Sequence, residues 1–179
     1  MNNKVYLAGG CFWCTESIFQ RVIGVKNVSP GYMGGSIKNP AYREVCVGNT
    51  GHTEAIEVIF DPAIISFKDL LEIFFSAHDP TTLNRQGNDV GTQYRSAIFY
   101  TSAIQKEEAE EMIQDLNTKN EFSAPIVTEI SEEVSFYPAE KEHSNYFNLN
   151  KEQSYCQFVI FPKIKKVTAK FNKHISKDE

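Results

Sequence analysis

The chain has 179 residues, 41% of them hydrophobic and 23% charged, which is enough for one compact catalytic domain with a core of its own and no linker to divide it. Its formal net charge of −5 disfavours nucleic acid as a partner, and no run is long or apolar enough to suggest a membrane partner. Met1-Asn2-Asn3-Lys4 leads straight into a strand-like run rather than a signal peptide, so a cytoplasmic location is expected.

In chain order, residues 5–8 read as a short strand stopped by Gly9-Gly10, with a helix over 12–21 behind it. A loop rich in Gly, Pro and Asn is expected over 29–51, long enough to be functional if ordered. Residues 53–60 alternate as a strand. Ser66 with Asp69 forms a helix cap, and Phe67, Leu70, Leu71, Phe74 and Phe75 make the apolar stripe behind it. An irregular stretch over 78–91 precedes a strand over 92–100. Ser102 with Gln105 then opens a charged helix that buries Ala109, Met112, Ile113 and Leu116. Shorter strands at 126–130 and 134–136, a short helix near 143–148 and an apolar run at 158–161 follow. Strands and helices mix without strict βαβ repetition, so the class is α+β, not a doubly wound sheet. Residues 163–177 hold six lysines and read as a lysine-rich tail, solvated and partly disordered.

Cys11, Cys14, Cys46 and Cys156 are too few for a disulfide scaffold at this length; in a reducing compartment they point to catalysis, metal or inert burial. Zinc needs four ligands, and no second C-x-x-C or spaced His pair completes a tetrahedron around Cys11 and Cys14, so no metal and no cofactor is expected. Cys11 follows Gly-Gly and opens a helix, where unpaired N–H groups favour a thiolate. Phe12 and Trp13 offer an apolar wall beside it, which suits redox work on an apolar or sulfur-containing group. Cys14 reads equally as a resolving thiol or as packing one turn along. Glu54 shares its strand face with Ile56, Val58 and Phe60; a carboxyl on an apolar face resists ionising and can stay a proton donor near neutral pH, unless the strand end is frayed and wet.

Other residues are less telling alone. Tyr94 shares a face with Ile98 and Tyr100, so packing is its default reading. Asp89 reads as a turn residue. Tyr42 either lines a pocket or pins the long loop. Cys46 lies between two valines and reads as inert, and Cys156 is a mobile further thiol or a buried one.

Gly10-Cys11-Phe12-Trp13, Tyr32 with Gly34-Gly35, the run from Pro40 to Cys46, Gly51-His52-Thr53-Glu54 and the run from Arg85 to Ser96 together closely resemble the A-type peptide methionine sulfoxide reductases, in that family's order. The resemblance implies a two-layer sandwich around a mixed sheet, ferredoxin-like, with long functional loops. It further implies that Cys11 is the nucleophile and becomes a sulfenic acid, that Phe12 and Trp13 hold the substrate's S-methyl group, and that Glu54 protonates the sulfoxide oxygen. Tyr42 and Tyr94 would hydrogen-bond that oxygen, with Asp89 in support. His143 falls where the family carries His-Gln-x-Tyr, but Ser144 stands here in place of Gln. The implied substrate is methionine (S)-sulfoxide in proteins or peptides and possibly free, and the implied reductant is thioredoxin. Both Cys14 and Cys156 could resolve the sulfenic acid; proximity favours Cys14 and the family's usual place favours Cys156. The expectation falls on Cys156, with Cys14 as relay or substitute. A thioredoxin-like disulfide oxidoreductase, or a zinc or persulfide carrier, are the rival readings of the C-x-x-C; sulfoxide reduction against insulin disulfide reduction, and metal analysis, separate them.

Overall fold

Alternation along β3 (Thr53–Phe60) sets the frame: Ile56, Val58 and Phe60 are fully buried toward the helices, and Ala55 is buried toward the opposite face. The computed structural model describes residues 3–176. β3 pairs antiparallel with β1 (Asn3–Ala8) on one side and with β2 (Val25–Met33) on the other. β6 (Ala97–Tyr100) adds antiparallel to β1, and β7 (Glu129–Glu132) adds parallel to β6. β8 (Phe136–Pro138) closes the far edge against β2, giving one mixed sheet in the order β7-β6-β1-β3-β2-β8. A separate two-stranded hairpin joins β4 (Arg85–Gln86) to β5 (Asp89–Val90).

Helices cover one sheet face. α1 (Phe12–Phe19) packs on β2 and β3, α3 (Phe67–Ala77) buries Leu70, Leu71, Phe74 and Phe75, and α6 (Phe161–Lys170) lies against both. α3 begins where the cap was expected: the Ser66 hydroxyl accepts the Asp69 N–H at 3.0 Å and donates to the Asp69 carboxylate at 2.7 Å. α4 (Ala103–Thr118) likewise starts at Ser102, which accepts the Gln105 N–H at 3.3 Å, and it buries Ala109 and Met112. On the other sheet face Tyr6, Met33 and Phe99 form a smaller core with Phe136. The architecture is therefore α+β around a mixed sheet.

Several expected elements differ. The 29–51 loop is shorter than expected, because β2 runs to Met33 and α2 (Tyr42–Val47) lies inside it. Pro30 fits the strand because β8 pairs only with Gly31, Tyr32 and Met33, while the Pro30 carbonyl accepts the Ala139 N–H at 2.9 Å. Gly31 is required there, since a Cβ would overlap the Phe136 ring and the Tyr137 carbonyl. Gly31→Ala should cost about 1–3 kcal/mol of stability, read as a lower urea midpoint with unchanged m. The 92–100 strand is instead a 3₁₀ turn at Thr92–Tyr94 followed by β6, so Tyr94 does not share a strand face with Ile98. The helix near 143–148 is a 3₁₀ turn at Lys141–His143 and then α5 (Tyr146–Leu149).

The lysine-rich segment, expected to be solvated and partly disordered, is helical and docked. Ile160, Ile164 and Val167 are spaced as one helical stripe and buried, and Ile175 bridges to Val22. Lys165, Lys166 and Lys170 stay exposed on the outer side. Met1, Asn2 and Lys177, which entered the reading of the two ends, lie outside the described residues.

Candidate active site

Cys11 stands at the N-cap of α1 because Gly10 lets the chain turn there. Gly10 has φ +90°, and a Cβ at that position would meet Gln86 Cγ at 2.6 Å. Gln86 is itself fixed on Asp79, donating to its carbonyl at 2.9 Å and accepting its N–H at 3.0 Å. The Cys11 carbonyl accepts the Cys14 N–H at 3.0 Å, and the Cys11 side of the helix start is only 9% exposed.

That burial reverses the expected electrostatics of the two thiols. Desolvation pushes the Cys11 thiol well above its ordinary range, and its hydrogen bond to Cys14 and the neighbouring Glu54 carboxyl push the same way. A helix start offers roughly 0.3–1 kcal/mol to a charge, too little to offset loss of water. The charge favours Cys14 instead. The Cys11 S–H donates to the Cys14 sulfur, Lys163 and the Tyr155 hydroxyl approach it from outside, and the Cys14 thiol is brought down to about 7.

Glu54 enters from β3 with 2% exposure, and its Oε2 accepts the Phe12 N–H at 3.3 Å. Burial pushes its carboxyl up to about 8; the Phe12 N–H opposes that rise, and Asp89 and Cys14 add to it. A protonated carboxyl thus touches the backbone of the residue next to Cys11, and the strand end is not frayed.

Aromatic rings close the site. Phe12 is fully buried against the rings of His143 at 5.4 Å, Tyr32 at 5.7 Å and Tyr42 at 6.4 Å. Trp13 is half-buried, stacks on Tyr146 at 3.7 Å between centroids, and donates its Nε1–H to His143 Nδ1 at 3.1 Å. Burial lowers the His143 pKa, so the ring is neutral and carries its proton on Nε2. The His143 ring lies 4.3 Å from that of Tyr42.

Tyr42 is the first residue of α2, not part of a loop, and its N–H donates to Glu140 Oε2 at 3.0 Å. Glu140 Oε1 accepts the Tyr32 hydroxyl at 3.1 Å, so one carboxylate clamps β2 to α2. Burial raises the pKa of both Tyr42 and Tyr94, and both feel the charges of Glu54 and Cys11. Asp89, on β5, accepts the Tyr155 hydroxyl at 3.0 Å, and that hydroxyl also lies 3.8 Å from the Cys14 sulfur. Cys46 sits on α2 beside the Tyr42 hydroxyl.

Cys156 is fully buried at the start of a π-helical turn, Cys156–Ile160, that runs directly into α6. Burial and the Cys14 charge raise its thiol pKa. Cys14 is thus an electrostatic neighbour of both Cys156 and Cys11.

The sequence profile of the family described as peptide methionine sulfoxide reductase matches residues 3–175. The chain belongs to that family. It is 50% identical over 169 residues to the peptide methionine sulfoxide reductase MsrA of Chromobacterium violaceum, covering 94% of this chain and 96% of the relative. It is 52% identical over 165 residues to that of Sulfolobus acidocaldarius, covering 92% and 93%. Among solved structures, reduced Mxr1 from Saccharomyces cerevisiae is 32% identical with a TM-score of 0.79, covering 87% of this chain and 89% of that one. Methionine sulfoxide reductase A of Corynebacterium diphtheriae is 38% identical with a TM-score of 0.75, covering 84% and 76%. Mxr1 in complex with Trx2 shares the fold at a TM-score of 0.55, with 24% identity. Family membership makes this chain a thiol-dependent methionine sulfoxide reductase.

Four residues of the reductase site escaped sequence reasoning. Tyr155 had a signal in its place before Cys156. Glu16 is 2% exposed and accepts the Asn145 N–H at 2.7 Å, pinning the segment that carries His143 and Tyr146; its setting between the buried Thr15 and Ser17 gives no periodic cue. Glu140 and Lys163 reach their partners across 98 and 149 residues and have no local signature.

Proposed function

We propose that Cys11, Glu54 and the aromatic wall reduce the S epimer of methionine sulfoxide, in proteins or peptides and also free. The observation that carries this reading is the buried Glu54 carboxyl, which accepts the Phe12 N–H at 3.3 Å beside a buried thiol and whose pKa burial pushes up to about 8. A sulfoxide oxygen leaves poorly until protonated, and a neutral acid in a water-poor pocket supplies that proton. Phe12 and Trp13 enclose the S-methyl group. Tyr42 and Tyr94 hydrogen-bond the oxygen; the Tyr94 hydroxyl has no partner among the described residues and is free to do so. Asp89 orients Tyr155 at the rim, and neutral His143 fixes the Trp13 ring.

In the first half-reaction Glu54 gives its proton to the sulfoxide oxygen and the Cys11 sulfur attacks the substrate sulfur. The Cys11 thiol proton restores Glu54; the hydroxyl then passes from the substrate sulfur to the Cys11 sulfur as the transient S–S bond breaks, so methionine leaves with that electron pair and Cys11 carries a sulfenic acid. In the second half-reaction a thiolate attacks the Cys11 sulfur, an S–S bond forms, and the hydroxyl departs as water with a proton from Glu54. Proximity and a thiol near 7 favour Cys14 as that thiolate, with the disulfide then passed to Cys156. This reverses the order expected from sequence, because Cys14 shares a hydrogen bond with Cys11 while Cys156 is fully buried at the start of the π-helical turn. Thioredoxin is the reductant, supported by the Mxr1–Trx2 complex. It would meet Cys156 in a groove lined by Arg21, Phe158 and Phe161.

The whole chain acts as a single catalytic domain, in the cytoplasm, without metal or cofactor. The order β1-α1-β2-β3-α3-β6 with strands arranged β6-β1-β3-β2 supports a ferredoxin-like core, extended by one strand at each edge. One assay tests the function: a single turnover with resolved sulfoxide diastereomers, followed by mass spectrometry of the wild-type, Cys14→Ser and Cys156→Ser proteins. One methionine per chain from the S epimer alone is expected, with a Cys14–Cys156 bridge in the wild type and a Cys11–Cys14 bridge trapped in Cys156→Ser. Reduction of the R epimer, or no methionine at all, would overturn the reading.

A further inference from the structure

Lys163 is the one lysine among residues 163–173 that is not fully exposed, and its ammonium turns inward. Its neighbours on α6 and beyond have ordinary occupations: Lys165 lies over the Phe161 ring, and Lys170 over Phe171 while bonding the Ser76 hydroxyl. Lys163 forms no ion pair among the described residues. Its Nζ lies 3.8 Å from the Cys14 sulfur, a contact made by the fold across 149 residues. The Tyr155 hydroxyl also lies 3.8 Å from the same sulfur, and its stronger bond is to Asp89 at 3.0 Å.

A half-buried ammonium facing a thiol rather than a carboxylate stabilises one species, the thiolate. We propose that Lys163 is a positioning residue for the second half-reaction, holding Cys14 as a thiolate aimed at Cys11 so that the sulfenic acid is captured as soon as it forms. This rests on the reading of Cys11 as the sulfenic acid carrier. The step itself balances as above: the Cys14 thiolate forms the S–S bond, the Cys11 S–O bond breaks, and the hydroxyl leaves as water with the Glu54 proton. Lys163 forms and breaks no bond in this step.

Every group facing the Cys14 sulfur acts in a definite direction. Cys11 donates to it from the helix start, and Lys163 and Tyr155 favour its charge from the α6 side. Asp89 on β5, and Glu54 and Cys156 when ionised, oppose it. Lys163 is the only cation in that set. A thiol whose pKa falls toward ambient pH gains thiolate faster than it loses intrinsic nucleophilicity, so the cation accelerates attack near neutral pH.

The test compares wild type, Lys163→Met and Lys163→Arg as full-length proteins, from about pH 6 to about pH 10. In the reduced protein, alkylation of Cys14 by iodoacetamide, read by peptide mass spectrometry, reports its thiolate without any turnover. Lys163→Met should move that profile upward by about one pH unit, and Lys163→Arg should restore most of it. In single turnover without reductant, Lys163→Met should release methionine at the wild-type rate. Its Cys11–Cys14 bridge should form about three- to tenfold more slowly near pH 7, with a dimedone-reactive Cys11 building up, and the deficit should vanish at alkaline pH. An unshifted alkylation profile, or an unchanged bridging rate at neutral pH, would overturn the proposal while leaving the function of Cys11 standing. Failure of methionine release in the wild type would instead strike the function, and the alkylation profile would still report on Lys163.

Discussion

Cys11→Ser is expected to release no methionine from the sulfoxide, even with enzyme in excess over substrate. A serine hydroxyl is a far weaker nucleophile toward sulfur than a thiol, and nothing beside residue 11 serves as a base strong enough to make an alkoxide. The second thiol of the motif cannot substitute: Cys14 lies one turn along α1, with its sulfur facing Tyr155 and Lys163 rather than the Phe12 N–H and Glu54. The fold should survive, because serine is a favoured N-cap residue and the backbone bond from Cys14 to residue 11 needs no side chain. A thermal midpoint at or above the wild-type value, with product below detection, separates lost chemistry from lost structure. One equivalent of methionine from this variant would remove Cys11 from the mechanism.

How much of this was legible in the sequence depends on whether each signal was local. Glu54 was legible because strict alternation over 53–60 assigns its face, and the neighbours on that face are all apolar. The caps at Ser66 and Ser102 were legible because the partner lies three residues on. β2 was obscured by Pro30-Gly31, a pair that normally marks a turn; the reason it continues as strand is the aromatic ring of Phe136 lying against Gly31, a contact from the neighbouring edge strand β8 more than 100 residues on. The docking of α6 was hidden by its lysines, although Ile160, Ile164 and Val167 carry a helical spacing that a periodicity count would have found.

Within the site the same division holds. The thiol pair was legible as a motif, but not which thiol carries charge. That depends on desolvation at the start of α1 and on an ammonium from the end of the chain, neither of which spacing can reveal. A buried nucleophile that rests protonated beside a more acidic partner has a consequence. With Cys11 as the proposed nucleophile, burial and the raised thiol pKa disfavour a free thiolate there, so the attacking sulfur is expected to gain negative character as the sulfoxide is protonated within the pocket.

Glu54→Gln is expected to slow methionine release by roughly 10²–10⁴, the span for losing a positioned acid. Glutamine keeps the volume and can still accept the Phe12 N–H, so the change removes the proton and little else. The pH dependence makes the assignment specific. With the carboxyl pushed up to about 8, the wild-type step should be flat at neutral pH and fall about tenfold per unit above 8, and Glu54→Gln should lose that limb. Stability should depend on the same proton. The folded protein keeps this proton up to about pH 8, whereas the unfolded chain releases it near the ordinary value of 4.5. The folded state therefore holds the extra proton across that window, and stability falls as pH rises through it, by an amount of the order of 4 kcal/mol. Glu54→Gln should lose that slope and unfold at higher urea than wild type at pH 8, while reducing sulfoxide far more slowly. Chemical denaturation of both proteins at pH 5 and pH 8, beside single-turnover rates at the same values, gives the decisive comparison. A variant that matches wild type in rate, or that is equally sensitive to pH in both measurements, would exclude residue 54 as the proton donor.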